Sequence, residues 1–221
     1  MTNSPLSKLS FADAVLFDLD GTLWDITSLV AKARNNTYQK LGLNLPPVTR
    51  EYIAQFIGLP ADEIYRRQFP DWSHEKRESL RLITSQEIAR LLPIDGGTLY
   101  PGVVEGLNTL KQHFRLFIVS NCGKGYIENF LAWSQLGHLF EGHECYGNTL
   151  RPKGENIASV VGRFGLGHPL YVGDTATDHT AANEAKVPYL HVDYGFGDPV
   201  EACPRFRSFP DLVSALLALT P

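Results

Sequence analysis

Two aspartates one residue apart follow an apolar run near the beginning of the chain. Residues 14–17 (AVLF) favour a buried strand, Asp18 and Asp20 come next, and Gly21 permits a sharp turn. Residues 14–25 contain no lysine or arginine, so the two carboxylates repel each other unless a cation lies between them. A hard divalent cation with oxygen ligands is the natural candidate. The alternative without function is a strand end followed by an aspartate-rich turn.

Polar side chains also follow two later apolar runs, residues 116–119 (LFIV) and 170–172 (LYV). The carboxyl ends of parallel strands lie at one edge of a sheet, where open α/β folds bind ligands. We therefore expect these side chains to lie near the two aspartates. They offer carboxylates for a cation, a hydroxyl and an amide for oxyanions, and one positive charge. The residues concerned are Ser120, Asn121, Lys153, Asp174 and Asp178.

This set of side chains suits phosphoryl transfer, because a carboxylate that approaches an anionic phosphate must be shielded by positive charge. Asp18, the first acid after the strand, is predicted to be the nucleophile that forms an aspartyl phosphate. Asp20 is predicted to protonate the leaving oxygen and later to deprotonate a water. Lys153 would add positive charge, and Thr22 and Ser120 are hydroxyl donors suited to phosphate oxygens.

Each of these signals has a structural alternative when it is taken alone. Ser120 and Asn121 are common residue types at strand ends, and most lysines, such as Lys153, are solvated. Asp174 could cap the helix that follows it, and Asp178 would favour the dipole of that helix regardless of function. Their occurrence in order on successive strand–helix units favours the functional interpretation.

Strand and helix patterns alternate after residue 96, which implies right-handed crossovers and a parallel sheet. Residues 25–95, between the first strand and this region, show helical periodicity instead. The sequence therefore predicts an α/β protein: a Rossmann-like parallel sheet core with an inserted helical cap domain. The glycines near residue 96 are expected to let the cap move. The predicted bounds are 1–24 and 96–221 for the core, 25–95 for the cap, 1–12 for a loose leader and 189–192 for the last strand.

The composition is that of an ordinary globular protein, with 43% hydrophobic and 20% charged residues among 221. The net charge of −4 gives no electrostatic reason to expect nucleic acid or an anionic membrane as a partner. The chain contains no apolar window of the length that spans a membrane, and its beginning lacks a secretory signal pattern. Three scattered cysteines fit a reducing compartment. We expect a cytoplasmic monomer or homodimer without nucleic-acid or membrane partners.

The ordered motifs resemble those of the haloacid dehalogenase-like (HAD) hydrolase superfamily, in the branch similar to phosphoglycolate phosphatase and β-phosphoglucomutase. Residues 18–22 (DLDGT) match the first family motif, and Ser120 and Lys153 match the second and third. Residues 173–178 (GDTATD) match the fourth motif. The resemblance extends from residue 14 to about residue 192, and the helical block lies at the position of the family's first type of cap.

The resemblance implies a Mg²⁺ ion held by Asp18, the main-chain carbonyl of Asp20, and Asp174. Asp178 would hold the metal or orient it through neighbouring groups. Residues 58–60 (GLP) resemble the substrate loop of the family's caps. The residues expected to bind the substrate are Thr22, Asn121 and Gly58.

The family contains other reactions, and particular residues separate them. Haloacid dehalogenases lack the second acid of the first motif, so Asp20 favours phosphate ester hydrolysis. Sugar-phosphate mutases carry a histidine and an arginine where this chain has Val30 and Ala61. Phosphonatases use a cap lysine, but no lysine lies between Lys40 and Lys76. We therefore predict a Mg²⁺-dependent phosphatase that acts on a small phosphorylated metabolite. The alternatives are a sugar-phosphate mutase and a non-catalytic domain that binds a phosphorylated ligand.

Five basic residues of the helical block have two interpretations. They could contact an anionic tail of the substrate, or they could form a solvated helix face, which is the commoner arrangement. They are Arg66, Arg67, Lys76, Arg77 and Arg81.

Overall fold

The computed structural model describes residues 11–201 and 203–220. Within these ranges the strands form a six-stranded parallel sheet and a separate two-stranded antiparallel ribbon. The strands are β1 (Ala14–Phe17), β2 (Trp24–Asp25), β3 (Thr98–Leu99), β4 (Arg115–Ser120), β5 (Gly142–Cys145), β6 (Pro169–Gly173), β7 (Tyr189–Val192) and β8 (Arg205–Phe206). The large sheet has the order β5-β4-β1-β6-β7-β8, and β2 pairs with β3. The predicted Rossmann-like sheet is confirmed.

One group of helices covers the two faces of the sheet. A second group lies between β2 and β3 in the chain. A short 3₁₀ helix spans Gly137–Leu139. The α-helices are α1 (Thr27–Lys40), α2 (Arg50–Ala54), α3 (Ala61–Gln68), α4 (His74–Asp95), α5 (Val103–Leu110), α6 (Tyr126–Ser134), α7 (Tyr146–Thr149), α8 (Lys153–Phe164), α9 (Ala176–Glu184) and α10 (Phe209–Leu217).

The side chains of β1 alternate between two hydrophobic clusters, one on each face of the sheet. Val15 and Phe17 pack in the cluster that contains residues of α5, α6 and α10, whereas Ala14 and Leu16 pack in the cluster that contains residues of α8 and α9. All four side chains are buried, so both faces of the strand select apolar residues. Burial of a side chain the size of Phe17 stabilises the fold by about 1.5–3 kcal/mol.

Helices α1 to α4 form the segment between the two strands of the ribbon. Tyr38, Tyr65 and Leu80 belong to a small hydrophobic cluster of this segment. Leu29 and Leu92, near the two ends of the segment, pack instead in the main core cluster. The domain bounds at residues 24/25 and 95/96 stay a prediction. The ribbon itself was not predicted, because a strand of two residues is too short to show a periodic pattern.

Two expectations about the chain are corrected. Tyr189–Val192 is not the last strand, since β8 pairs with β7 on its outer side. Residues 1–10 of the expected leader lie outside the described residues, but Ala12 is buried and its N–H donates to the carbonyl of Leu219 at 3.1 Å. A Cβ at Gly96 would lie 2.1 Å from the Trp133 ring, so close packing alone already requires this glycine, and the movement of the cap stays a prediction.

Among the helices of residues 11–201 and 203–220, none combines the length and the apolar composition that crossing a membrane requires. The cytoplasmic location stays a prediction.

Candidate active site

The site lies at the edge of the sheet between β1 and β6. From β1 the chain adds β4 and β5 on one side of the sheet, and it then adds β6, β7 and β8 on the other side. The two strands are in register, with Phe17 opposite Val172, so Asp18 and Asp174 emerge at the same edge of the sheet. The N–H of Asp18 donates to the carbonyl of Val172 at 2.8 Å. One carboxylate oxygen from each of Asp18, Asp174 and Asp178 lies within 4.8 Å of the others, and all three residues are buried. The structure thus brings together three predicted acids that are separated by up to 160 residues.

Lys153, the first residue of α8, provides positive charge inside this cluster. Its Nζ donates to Asp18 Oδ1 at 2.8 Å and to Asp178 Oδ1 at 2.6 Å. Burial by itself would lower the pKa of Lys153, but the two carboxylates outweigh burial and the pKa is raised. Lys153 therefore stays protonated, and the alternative of a solvated lysine is wrong, because only 3% of its side chain is exposed.

Both carboxylate oxygens of Asp178 are already engaged by protein groups. Oδ1 accepts from Lys153 and, at 3.3 Å, from the hydroxyl of Tyr171. Oδ2 accepts from the N–H and the hydroxyl of Thr175 at 3.1 and 2.5 Å, which completes a capping box at the beginning of α9. Asp178 is therefore better placed to orient Lys153 than to coordinate a cation directly.

Asp174 has one engaged oxygen and one free oxygen. Oδ2 accepts from the N–H of Phe196 at 2.7 Å, whereas Oδ1 is buried without a hydrogen-bond partner among the described residues. Burial, followed by the charges of Asp178 and Asp18, raises the pKa of Asp174 well above its usual range. Gly21, with φ of 89°, makes room for this carboxylate, since a Cβ there would lie 2.1 Å from Asp174 Oδ2.

Asp18 shows the same conflict between burial and charge. Burial raises the pKa of Asp18 to about 7, although Lys153 acts in the opposite direction. Three buried carboxylates accompany a single lysine, and one carboxylate oxygen is left unpartnered. A divalent cation would relieve both the charge repulsion and the unpartnered oxygen, so the site fits Mg²⁺.

Asp20 is held by two aromatic side chains that the sequence did not single out. Its Oδ1 accepts from Trp24 Nε1 at 2.8 Å and from the hydroxyl of Tyr126 at 2.7 Å. Burial raises the pKa of Asp20 to about 6, and the two hydrogen bonds limit the rise. Trp24 lies four residues after Asp20, so the sequence could have indicated this contact. Tyr126 lies 106 residues away and reaches Asp20 only through the tertiary fold.

The two predicted hydroxyl donors are both buried. Ser120 ends β4 beside Asp18 and lines the cavity described below. The hydroxyl of Thr22 has no hydrogen-bond partner within the described part of the chain, and its residue does not line that cavity. The main-chain carbonyl of Thr22 accepts from the hydroxyl of Tyr194 at 2.8 Å, which fixes the turn after β1.

Two residues predicted to bind the substrate bond to each other. Asn121 Nδ2 donates to the carbonyl of Gly58 at 2.9 Å, which joins the end of β4 to the loop before α3. Gly58 has φ of 89°, and a Cβ there would lie 3.1 Å from Thr175 Cγ2. The loop thus contacts both the end of β4 and the beginning of α9.

A cavity of about 690 Å³ extends from the sheet edge to the inserted helices. At the sheet edge it is lined by Asp18, Asp20 and Ser120. At the helical end it is lined by Arg34 and Thr84, both 2% exposed. Sequence analysis missed these two residues, because their helical positions give no sign of which helix face meets the cavity.

The five basic residues considered for an anionic tail are all engaged by neighbouring groups. Arg66 and Arg67 are exposed and pair with Glu63, one helical turn earlier. Arg81 lines the cavity but is held by Glu78 at 2.5 and 2.7 Å. Lys76 lies 3.7 Å from the centre of the Trp72 ring, and Arg77 donates to the carbonyl of the same residue.

The chain matches a known family over most of its length. The sequence profile described as "Haloacid dehalogenase-like hydrolase" matches residues 15–192. A protein of Aliivibrio fischeri named phosphoglycolate phosphatase is 32% identical over 214 residues, which is 90% of this chain and 91% of that protein. A protein of the same name from Agrobacterium fabrum is 30% identical, over 100% of this chain and 94% of its own length.

Solved structures show the same fold. The crystal structure of a predicted phosphoglycolate phosphatase from Haemophilus somnus superposes with a TM-score of 0.77 at 26% identity, covering 92% of this chain and 97% of that chain. CbbY from Rhodobacter sphaeroides, solved with phosphate, superposes with a TM-score of 0.80 at 17% identity. That superposition covers 93% of this chain and 99% of that chain.

Proposed function

The chain belongs to the haloacid dehalogenase-like hydrolase family, and we propose that it is a Mg²⁺-dependent phosphatase that hydrolyses a small phosphomonoester through an aspartyl phosphate. The observation that carries this proposal is the buried cluster of Asp18, Asp174 and Lys153, with Asp20 beside it at the floor of the cavity. Curated relatives named phosphoglycolate phosphatase support the class of substrate.

Mg²⁺ would be held by Asp18, the main-chain carbonyl of Asp20, and Asp174. The buried, unpartnered Oδ1 of Asp174 supports this assignment. When bound, the ion supplies positive charge that neutralises a phosphate oxygen beside the carboxylates. Asp178 would act on this arrangement through Lys153, to which it is bonded at 2.6 Å.

Asp18 is the proposed nucleophile. One of its oxygens forms a bond to phosphorus while the bond between phosphorus and the ester oxygen breaks. Lys153, at 2.8 Å from Oδ1, favours the ionised carboxylate and fixes its orientation for attack. Ser120 lies at the same floor of the cavity and would donate its hydroxyl to a phosphate oxygen.

Asp20 is the proposed acid and base. It gives its proton to the departing ester oxygen, and in the second step it takes a proton from the water that attacks the phosphorus. That attack releases inorganic phosphate and restores the Asp18 carboxylate. The pKa of about 6 places Asp20 near the range in which one group serves both steps at neutral pH.

The residues that line the cavity favour hydrolysis over the mutase alternative. Val30 and Ala61, which stand where the mutases carry a histidine and an arginine, both line this cavity. Neither side chain can hydrogen-bond a sugar phosphate. Hydrolysis is therefore the proposed reaction, and a monomer or a homodimer is the proposed oligomeric state.

Phosphate release from a panel of phosphomonoesters tests the proposal, with Mg²⁺ and with EDTA. We expect hydrolysis that EDTA abolishes and that Asp18→Asn lowers by at least about 10³-fold, since the amide is not a nucleophile. A matched control is Asp198→Asn, an exposed aspartate outside the cavity, which should retain full activity. Absence of hydrolysis for every ester, or an Asp18→Asn protein of normal activity, would overturn the proposal.

A further inference from the structure

Arg34 on α1 is a buried charge without a counter-charge. Its side chain donates from Nη1 to Gln68 Oε1 at 2.8 Å and to the hydroxyl of Tyr38 at 3.5 Å. Its guanidinium carbon lies 4.2 Å from the centre of the Tyr65 ring. Within residues 11–201 and 203–220, no carboxylate is paired with it. All of its named partners are therefore neutral.

A neutral environment does not compensate a buried guanidinium. The group stays protonated in proteins, and burying a charge without an opposite charge is strongly unfavourable. Arg34 Nε is also buried without a hydrogen-bond partner among the described residues, so one N–H donor of the guanidinium group is unused. Guanidinium groups bind carboxylate and phosphate oxygens through such paired donors. An anion beside Arg34 would supply both the charge and the acceptor.

The cavity gives such an anion access to Arg34. The same cavity is lined by Asp18 at the sheet edge and by Arg34 at the helical end. Thr84 also lines this cavity. A cationic side chain and a hydroxyl-bearing side chain from two helices thus border one space that is continuous with Asp18.

Arg34 differs in this respect from the other arginines of the helical segment. Arg66, Arg67 and Arg81 are paired with glutamates of their own helices, so their charge is already balanced. None of these three is as buried as Arg34, whose exposure is 2%. Arg34, which lines the cavity and has no paired carboxylate among the described residues, is therefore placed to bind the end of a substrate that is remote from the transferred phosphoryl group.

We propose that Arg34, assisted by Thr84, binds a second anionic group of the substrate, so that the protein selects phosphomonoesters whose organic part carries a carboxylate or a further phosphate. The inference rests on the proposed phosphatase function and assigns a substrate class to that same cavity. Arg34 acts in binding, and Asp18 and Asp20 carry out the chemistry.

The test compares kcat/KM for esters that differ only in the charge of their organic part. One pair is phosphoglycolate and its neutral amide, a second pair is a sugar bisphosphate and the corresponding monophosphate, and p-nitrophenyl phosphate serves as an ester without a second anion. We expect the wild type to favour the anionic member of one pair by about 10- to 100-fold, as for a hydrogen-bonded charge pair. The pair that shows the preference distinguishes a carboxylate from a second phosphate.

Variants locate this preference in the structure. Arg34→Met keeps the length of the side chain and should remove the preference by raising KM for the anionic ester about 10- to 100-fold, with little change for p-nitrophenyl phosphate. Arg67→Met removes a surface arginine and should retain the preference. Because Arg34→Met could also disturb folding, Thr84→Val is a second variant. It should reduce the preference several-fold in a protein that stays folded, which its melting curve checks.

The outcomes separate this inference from the proposed function. If no phosphomonoester is hydrolysed, the proposed function is wrong and the inference falls with it. If esters are hydrolysed but neither charge pair is discriminated, only the inference is wrong. Equal losses on all esters, p-nitrophenyl phosphate included, in folded Arg34→Met and Thr84→Val proteins would likewise assign Arg34 a purely structural role.

Discussion

Asp18 and Asp20 lie two positions apart but have different partners. Asp18 Oδ1 accepts from a lysine, which favours the ionised form that a nucleophile needs. Asp20 Oδ1 accepts from two neutral aromatic donors, and burial raises its pKa to about 6. This difference of environment suits the proposed roles, in which Asp18 attacks and Asp20 exchanges protons, although the residue type is the same.

The partners of Asp20 give a prediction about pH dependence. Tyr126→Phe removes a donor that lowers the pKa of Asp20, so this pKa should rise above about 6. The acid step requires protonated Asp20, and therefore the alkaline limb of the profile of kcat/KM against pH should move to higher pH. The measurement is that profile for the wild type and the variant with one good substrate.

Tyr52→Phe is the matched control, since Tyr52 is exposed on α2 and does not line the cavity. Its profile should coincide with that of the wild type. An unchanged alkaline limb in Tyr126→Phe would mean that Tyr126 does not tune the proton donor.

The N-cap of helix α9 is connected to the acidic cluster by hydrogen bonds. Thr175 is its N-cap, and the reciprocal bonds between Thr175 and Asp178 fix the first turn of the helix. The same Asp178 holds Lys153, which holds Asp18. The first turn of this helix is therefore connected through Asp178 and Lys153 to Asp18, the proposed nucleophile.

Thr175→Ala should affect both stability and activity. Loss of an N-cap hydroxyl lowers the free energy of unfolding by about 0.5–2 kcal/mol. Activity should fall further than this change explains, because Asp178 and Lys153 lose their fixed orientation. Urea unfolding and kcat at saturating substrate measure the two effects.

Ser208→Ala provides the comparison for this prediction. Ser208 caps α10 by accepting from the N–H of Asp211 at 3.2 Å, and neither residue lines the cavity. We expect a similar loss of stability with unchanged kcat. Equal kcat values in the two variants would show that the cap of α9 has no role beyond stability.

The inserted helices and the sheet meet at the hydrogen bond between Asn121 and the carbonyl of Gly58. This bond connects residues 63 positions apart and joins the loop before α3 to the end of β4. It is therefore a contact that fixes the loop on the sheet. The existence of a separate cap domain is compatible with this contact but stays a prediction.

Asn121→Asp should loosen the loop, because a carboxylate cannot donate to the carbonyl of Gly58 and repels it. We expect faster amide hydrogen exchange in residues 56–60 of the substrate-free protein, and exchange in the sheet should be unaffected. Asn108→Asp replaces another asparagine that donates to a main-chain carbonyl, on the exposed face of α5. That control should leave the loop unchanged, and equal exchange of the loop in both variants would contradict the prediction.

The sequence alone determined the sheet and the acids at its edge. Fully apolar runs specified buried parallel strands, and the carboxyl ends of such strands necessarily share one edge, so Asp18, Ser120 and Asp174 could be placed together. The acidic pair and the lysine indicated phosphoryl chemistry because residue type fixes charge. The roles of the individual residues, and the domain bounds, remain predictions.

Only the tertiary structure decided which side chains surround these acids. Tyr126 and Arg34 reach the site through helices whose crossing angles and faces depend on packing between distant elements, which no local pattern encodes. Strands β2 and β8, with two residues each, are likewise stabilised by pairing rather than by a pattern of their own. Residue types and local periodicity thus predicted the chemistry, whereas long-range packing decided which side chains surround the acids and line the cavity.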